Sequence, residues 1–152
     1  MFRVIVNSCL PIVLLLSTGC GSAGPTFVEV EGVVTLEGKP VDKIHVEFWP
    51  EVEGPRSSGI TDAEGRFVLA TADGLNKGAV KGRHKVVLSD TSIIGVQGFG
   101  RDFEDVDITK GQKPRILEAY KSPLTTKLTV DITGENKNVT LEAEPNPNAK
   151  KK

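Results

Sequence analysis

The chain has 152 residues, which is enough for one domain and short for two. Its 19 basic and 20 acidic side chains leave a net charge of −1, which excludes the basic surface that nucleic-acid binding requires. The 16 glycines and 9 prolines are too few for a collagen-like or low-complexity chain. They predict instead a small domain in which turns separate short strands.

The first 20 residues predict an export signal rather than a part of the fold. Arg3 gives a short positive region, and the mostly apolar stretch from Val4 to Leu16 is too short to span a bilayer about 30 Å thick. Small residues then precede Cys20. This segment resembles a bacterial lipoprotein signal, which implies cleavage before Cys20 and its acylation with lipids such as palmitate. An ordinary secretory signal and an uncleaved anchor are the alternatives.

The predicted domain boundaries follow from this signal. Residues 1–19 form the signal peptide, 20–26 a flexible lipidated tether, 27–143 the folded domain and 144–152 a disordered polar tail. Cys9 would leave with the signal and Cys20 would carry the lipid, so the mature domain has no disulfide. By the same resemblance, Gly21 in place of Asp favours the outer membrane of the cell envelope and leaves its periplasmic or surface side open.

Alternation of apolar and polar residues predicts strands along most of the domain. The clearest runs are Val28–Leu36, Ile44–Pro50, Arg83–Ser89 and Leu124–Ile132. Gly32 interrupts the first run, where a bulge or a close backbone approach is expected. Gly38 and Gly65 supply the left-handed residues of two turns, and Asp62 can hydrogen-bond the second turn.

About seven strands, with no convincing amphipathic helix, predict an all-β sandwich of immunoglobulin or transthyretin type. The stretch from Asp90 to Lys121 is the exception, because it shows no clear periodicity over a length that is unusual for a loop. It either carries function or contains a strand that the pattern does not reveal.

The order of several motifs resembles a carboxypeptidase-regulatory-like domain. The matching segments are Glu31–Val41, Val46–Pro50, Thr61–Phe67 and Lys81–Val86, and then Tyr120, Ser122–Leu124 and Asn138–Leu141, which resemble small lipoproteins of planctomycete bacteria. The resemblance covers roughly residues 28–142. It implies a single seven-stranded prealbumin-like sandwich without catalytic residues. His84 departs from the pattern, because an aromatic residue is common at its position in such domains.

The outward face of the second run holds the candidate ligand-facing residues His45, Glu47 and Trp49. An exposed indole on a sheet could stack on a sugar, and the alternative is that Trp49 packs under the long loop or against a sheet edge. His84 is expected to face inward. Because a zinc site needs three or four ligands and no cysteine is free, we expect no metal site at the two histidines.

The acidic stretch Asp102–Asp107 could hold a cation through its carboxylates, but it lacks the spacing of an EF-hand, and a solvated loop is the alternative. No nucleophile elbow or phosphate-binding loop stands in a matching context. We therefore expect a non-enzymatic, lipid-anchored envelope protein without a cofactor. Its β-sandwich would be a binding or structural module for a protein or glycan partner, and a carbohydrate-binding module that uses Trp49 is the alternative.

Overall fold

The computed structural model describes residues 24–93, 112–134 and 138–149, and this part of the chain is all-β, as predicted. Its strands are β1 (Phe27–Val28), β2 (Glu31–Leu36), β3 (Lys39–Pro40), β4 (Ile44–Pro50), β5 (Ser57–Ile60), β6 (Arg66–Val68), β7 (Ala70–Thr71), β8 (Ala79–Val80), β9 (Gly82–Asp90), β10 (Thr129–Ile132) and β11 (Asn138–Ala143). Two short 3₁₀ helices cover Thr91–Ile93 and Glu118–Lys121. Within these ranges, no helix has the length and apolar character to cross a membrane.

The strands form two larger sheets and one small pair. The larger sheet has the order β10-β9-β4-β5-β7, with antiparallel neighbours throughout. In the second sheet β2 is central, with β11 parallel along one side and β6 and β3 antiparallel along the other. β1 pairs with β8. The strand segments outnumber the seven predicted strands because turns and crossings divide the sheet edges into two-residue pieces.

The inward faces of the two larger sheets meet in one hydrophobic core, which gives the fold its β-sandwich character. Phe48 of β4 and Phe67 of β6 come from different sheets, and their ring centroids lie 6.3 Å apart. The alternation predicted for the first two runs is confirmed, because Val34 and Val46 are fully buried in this core. Burial of such side chains is the main favourable contribution to folding.

The chain changes sheets between β6 and β7, and Gly59 makes room for the crossing. Leu69, at the crossing point, is fully buried, and its N–H donates to the carbonyl of Val30 at 3.0 Å. A Cβ atom on Gly59 would lie 2.3 Å from the carbonyl oxygen of Val68. The close approach predicted at Gly32 also occurs, since a Cβ atom there would lie 2.5 Å from the Phe67 ring.

The turn before β6 has the predicted chemistry. One carboxylate oxygen of Asp62 accepts hydrogen bonds from the backbone N–H groups of Glu64 and Arg66, at 3.0 and 2.8 Å. Gly65 has a φ of 71°, in the left-handed region that a glycine adopts without strain. These bonds hold the pKa of the exposed Asp62 carboxyl below its ordinary value.

Two predictions near the C-terminus are wrong. The strand expected over 124–132 occupies only its second half, because the carbonyl of Ser122 accepts bonds from Thr125 and Thr126 in a turn that leaves Leu124 93% exposed. The disordered tail expected from residue 144 does not begin there. Asn146 is buried, its N–H donates to the carbonyl of Arg115 at 2.8 Å, and its amide donates to that of Pro114 at 3.0 Å.

Candidate functional site

The outward face of β4 carries the three residues that the sequence analysis singled out, and two of them contact each other. His45, Glu47 and Trp49 are each partly buried and alternate with the core residues of the same strand. The indole N–H of Trp49 donates to a carboxylate oxygen of Glu47 at 3.2 Å. His45 precedes Glu47 by two positions in β4 and lies between Ile60 of β5 and Ser89 of β9. The site therefore centres on Trp49 and Glu47.

Arg56 completes this cluster and was not singled out from the sequence. Its guanidinium carbon lies 4.3 Å from the centroid of the Trp49 ring, and one guanidinium nitrogen lies 4.0 Å from a carboxylate oxygen of Glu47. Arg56 comes from the β4–β5 connection, where no periodic pattern indicates the direction of a side chain. The cluster offers an indole, a carboxylate and a guanidinium to a polar ligand, but the guanidinium already covers one face of the indole.

An open groove of about 510 Å³ crosses the outward face of the smaller sheet. Its lining includes Val33, Arg66, Val68 and Thr140 from three adjacent strands. The Arg66 guanidinium lies 3.2 Å from Asp62 and 3.3 Å from Glu64, so its charge is largely balanced within the turn. The lining is mixed, since the apolar side chains of Val33 and Val68 stand beside the polar side chain of Thr140.

His84 points into the core, as expected, and is completely buried. Its Nδ1 lies 2.9 Å from the carbonyl oxygen of Gly82, so this nitrogen carries the proton and donates, whereas the buried Nε2 has no hydrogen-bond partner among the described atoms. Burial lowers the pKa of His84, and the Gly82 bond offsets part of that effect. The imidazole, 5.7 Å from the Phe48 ring, is therefore a neutral core group.

The two histidines lie on opposite faces of the larger sheet, and they cannot bind the same metal ion. His45 lies on the outward face, and His84 lies on the inward face. Across residues 24–93, 112–134 and 138–149, no three His, Cys, Asp or Glu side chains are grouped so as to hold a metal ion.

At the end of β9, the buried Asp90 forms an ion pair with the partly exposed Arg115. Arg115 donates to the Asp90 carboxylate from its backbone N–H at 2.8 Å and from Nε and Nη2 at 2.9 Å each. Ser92 adds bonds from its N–H and hydroxyl at 3.1 and 2.6 Å. Arg115 also reaches Asp42, donating to its carboxylate at 2.9 Å and to its carbonyl at 2.6 Å.

This network explains the ionisation of Asp90 and the course of the chain around it. Burial alone would raise the pKa of Asp90, but the hydrogen bonds from Arg115 and Ser92 outweigh burial and lower its pKa to about 2. Arg115 thereby joins the end of β9 to the connection between β3 and β4. The two ends of the aperiodic stretch 90–121 are thus fixed to the body.

Cys20 and the acidic stretch Asp102–Asp107 lie outside the described residues, and so does the middle of the 90–121 stretch. The structure therefore adds a Trp49–Glu47–Arg56 cluster, an open groove and a buried ion pair to the sites considered from the sequence. The chain matches no family model, no curated protein and no solved structure.

Proposed function

We propose that the chain is a lipid-anchored cell-envelope protein, without enzymatic activity, whose β domain is a binding or structural module. The observation that carries this proposal is the lipoprotein-like signal that ends at Cys20, a short distance before the folded body. From residue 24 onward, where the described chain begins, the first backbone hydrogen bond to the body runs from the N–H of Lys81 to the carbonyl of Thr26, at 3.0 Å. A lipid on Cys20 would therefore hold the domain close to a membrane.

The physical chemistry of acyl chains favours stable anchoring. A single acyl chain binds a membrane only marginally and reversibly, whereas two or more chains hold a protein firmly. A mature lipoprotein carries several chains on its N-terminal cysteine, so Cys20 would need no help from the domain. By the same proposal, the outer membrane is the destination, since Gly21 follows the cysteine.

The chemistry of the domain supports a binding or structural role. The pKa of Asp90 is lowered to about 2, and Arg115 and Ser92 hydrogen-bond its carboxylate oxygens, so this carboxylate is engaged within the fold. His84 is enclosed in the core. We further propose that the two packed sheets form an immunoglobulin- or prealbumin-like sandwich of the carboxypeptidase-regulatory type. The contact of Phe48 with Phe67 across the sheets supports this arrangement.

Substitution of Cys20 by Ser tests the anchoring. The unsubstituted protein, expressed in a bacterium with two membranes, should incorporate labelled fatty acid and fractionate with the outer membrane. Cys20→Ser should lose the label and leave that fraction, because the hydroxyl does not replace the thiol as lipid acceptor. Cys9→Ser is the matched control and should behave like the unsubstituted protein. Unchanged labelling and fractionation of Cys20→Ser would contradict the proposal.

The Trp49–Glu47–Arg56 cluster favours a second candidate function, carbohydrate binding on the outward face of β4. Glu47 and Arg56 can hydrogen-bond sugar hydroxyls beside the indole, although a sugar would have to displace Arg56 or use the remaining face of the ring. Because Trp49 is the only tryptophan, its fluorescence reports this site directly. A saturable fluorescence change with one member of a glycan panel, abolished in Glu47→Ala and kept in Glu64→Ala, would establish binding. No change across the panel would exclude it.

A further inference from the structure

The chain enters the folded body at one defined end of the sheets, and several turns meet there. Lys81, whose N–H donates to the carbonyl of Thr26, directly precedes β9. At the start of β9, Gly82 pairs with Ile132, the last residue of β10. The ammonium nitrogen of Lys81 lies 3.4 Å from the position that a Cβ atom on Gly134 would occupy. The entry point therefore lies beside the β10–β11 connection.

Two further connections lie at the same end. Pro50, the last residue of β4, pairs with His84 near the start of β9, so the chain leaves β4 at this end. The side chain of Val52 then lies 3.4 Å from the position of a Cβ atom on Gly82. Thr71, the last residue of β7, pairs with Ser57, the first residue of β5. The turn after β7 therefore lies beside the β4–β5 connection. We call the surface formed by residues 50–54, 72–77, 81–83 and 133–134 the anchor end.

The opposite end of the sheets carries a different set of turns. Ile44, the first residue of β4, pairs with Asp90, the last residue of β9. The Asp62–Gly65 turn directly precedes β6. Arg66, the first residue of β6, pairs with Val33, whereas its last residue, Val68, pairs with Glu31 nearer the anchor end. The turn therefore lies at the opposite end. Residues 37–38, 62–65 and 90–92 thus form a distal end. The seven residues of β4 alone separate the two ends by about 20 Å.

The number of residues between Cys20 and Thr26 limits how far the anchor end can lie from a lipid on Cys20. Six peptide steps span at most about 20 Å when fully extended. The anchor end must then stay within that distance of the membrane surface, whereas the distal end lies up to a further strand length away. The tether therefore keeps the anchor end near the membrane but sets no such limit on the distal end.

The composition of the anchor end is compatible with an interfacial position. Leu75 and Val52 are 81% and 51% exposed there, and the lysine side chains at 77 and 81 can extend along an interface with their ammonium groups in water. Glu51 and Glu53 balance these charges. Since the net charge of this end is close to neutral, the tether rather than attraction to anionic lipid positions it.

We propose that the anchor end faces the lipid bilayer and that the distal end, with its turns at 37–38, 62–65 and 90–92, faces away from it. This orientation rests on the proposed lipid attachment at Cys20. It assigns the distal end as the surface presented to a partner in the envelope, and it makes the anchor end a contact surface for the membrane that holds the protein.

Single introduced cysteines test the orientation in the full, lipidated protein. By the proposed processing, Cys9 leaves with the signal and Cys20 is acylated, so an introduced cysteine would be the only free thiol. Lys81→Cys at the anchor end and Lys39→Cys, directly after the 37–38 turn of the distal end, both replace exposed lysines and form a matched pair. Each variant carries a fluorophore and is reconstituted in phosphatidylcholine vesicles with spin-labelled headgroups. We expect the headgroup spin labels to quench the fluorophore at Lys81→Cys and to leave the fluorophore at Lys39→Cys unquenched.

A second pair of exposed acidic residues repeats the comparison. Asp73→Cys lies in the 72–77 turn and should be quenched, whereas Glu64→Cys lies in the distal turn and should not. Equal quenching at the two ends, stronger quenching at the distal end, or no quenching at either end of an acylated protein would overturn the orientation alone. The mass of the Cys20 peptide is measured on the same sample, and an unacylated Cys20 would overturn the proposed function instead.

Discussion

Arg115 donates two parallel hydrogen bonds to the carboxylate of Asp90, from Nε and from Nη2, each at 2.9 Å. The Asp90 side chain is completely buried, whereas that of Arg115 is 32% exposed. Such bidentate, charge-assisted pairs are stronger than ordinary hydrogen bonds and fix the relative orientation of both groups. The pair joins two positions that are 25 residues apart in the chain, and it does so where the larger sheet ends.

Removal of this buried charge should destabilise the domain more than removal of its exposed neighbour. Asp90→Asn leaves the Arg115 guanidinium without its buried counter-charge, and the expected loss is about 3 kcal/mol of unfolding free energy. Asp42→Asn is the matched control, since the Asp42 side chain is 41% exposed and bonds the same arginine. It should cost less than about 1 kcal/mol. Urea unfolding measures both, and equal losses would contradict this account of the pair.

The same carboxylate should make the protein sensitive to strong acid. The pKa of Asp90 is about 2 in the folded state, against an ordinary value of 3.8. Because the folded-state pKa is lowered, the stabilisation is complete above about pH 4 and is lost as the pH falls toward 2. The unfolding free energy measured between pH 5 and 2 should fall less steeply in Asp90→Asn than in the unsubstituted protein. An identical slope would show that Asp90 is not the responsible group.

His84 should produce a second pH dependence at milder acidity. Burial lowers the pKa of His84 below its ordinary value of 6.5, so the unfolded chain takes up a proton at a higher pH than the folded one. Stability should therefore decrease as the pH falls below about 6.5. His84→Phe should remove this decrease, whereas the control His45→Phe, on the outward face, should keep it. A decrease that persists in His84→Phe would assign the effect to other groups.

Gly32 should not tolerate a methyl group. A Cβ atom there would lie 2.3 Å from the carbonyl oxygen of Val139 and 2.5 Å from the Phe67 ring, so the sheet or the ring must move. Overpacking of this kind typically costs about 1–3 kcal/mol, and Gly32→Ala should lower the unfolding free energy by that amount. Gly24→Ala is the control, because a Cβ atom at Gly24 would have no neighbour within 4 Å. Equal stability of the two variants would contradict the close approach.

Local patterns in the sequence predicted the elements that depend on neighbouring residues. The alternation from Val28 to Leu36 identified the buried face of this segment, because side chains of a strand alternate between faces regardless of the partner strand. It did not reveal that the segment is divided into β1 and β2, which belong to different sheets. The Asp62–Gly65 turn was predictable for a similar reason, since its hydrogen bonds join residues at most four apart. These features carry their physical cause within a few residues.

Features that join distant residues were not predictable in this way. The alternation from Leu124 to Ile132 suggested one long strand, but the first part of this segment is a turn. The buried hydroxyl of Thr126 donates to the carbonyl of Val86 at 2.7 Å, 40 residues away. The pairing of Arg115 with Asp90 and the docking of Asn146 also depend on long-range contacts. The outward direction of Trp49 was foreseen, but its neighbour Arg56 comes from an irregular connection and was missed.

The most direct test of lipid anchoring is the mass of the N-terminal peptide of the protein recovered from bacterial membranes. The account predicts that the mature chain begins at Cys20 and that this residue carries a diacylglyceryl group and an additional acyl chain. A peptide that retains residues 1–19, or a Cys20 with a free thiol, would contradict it.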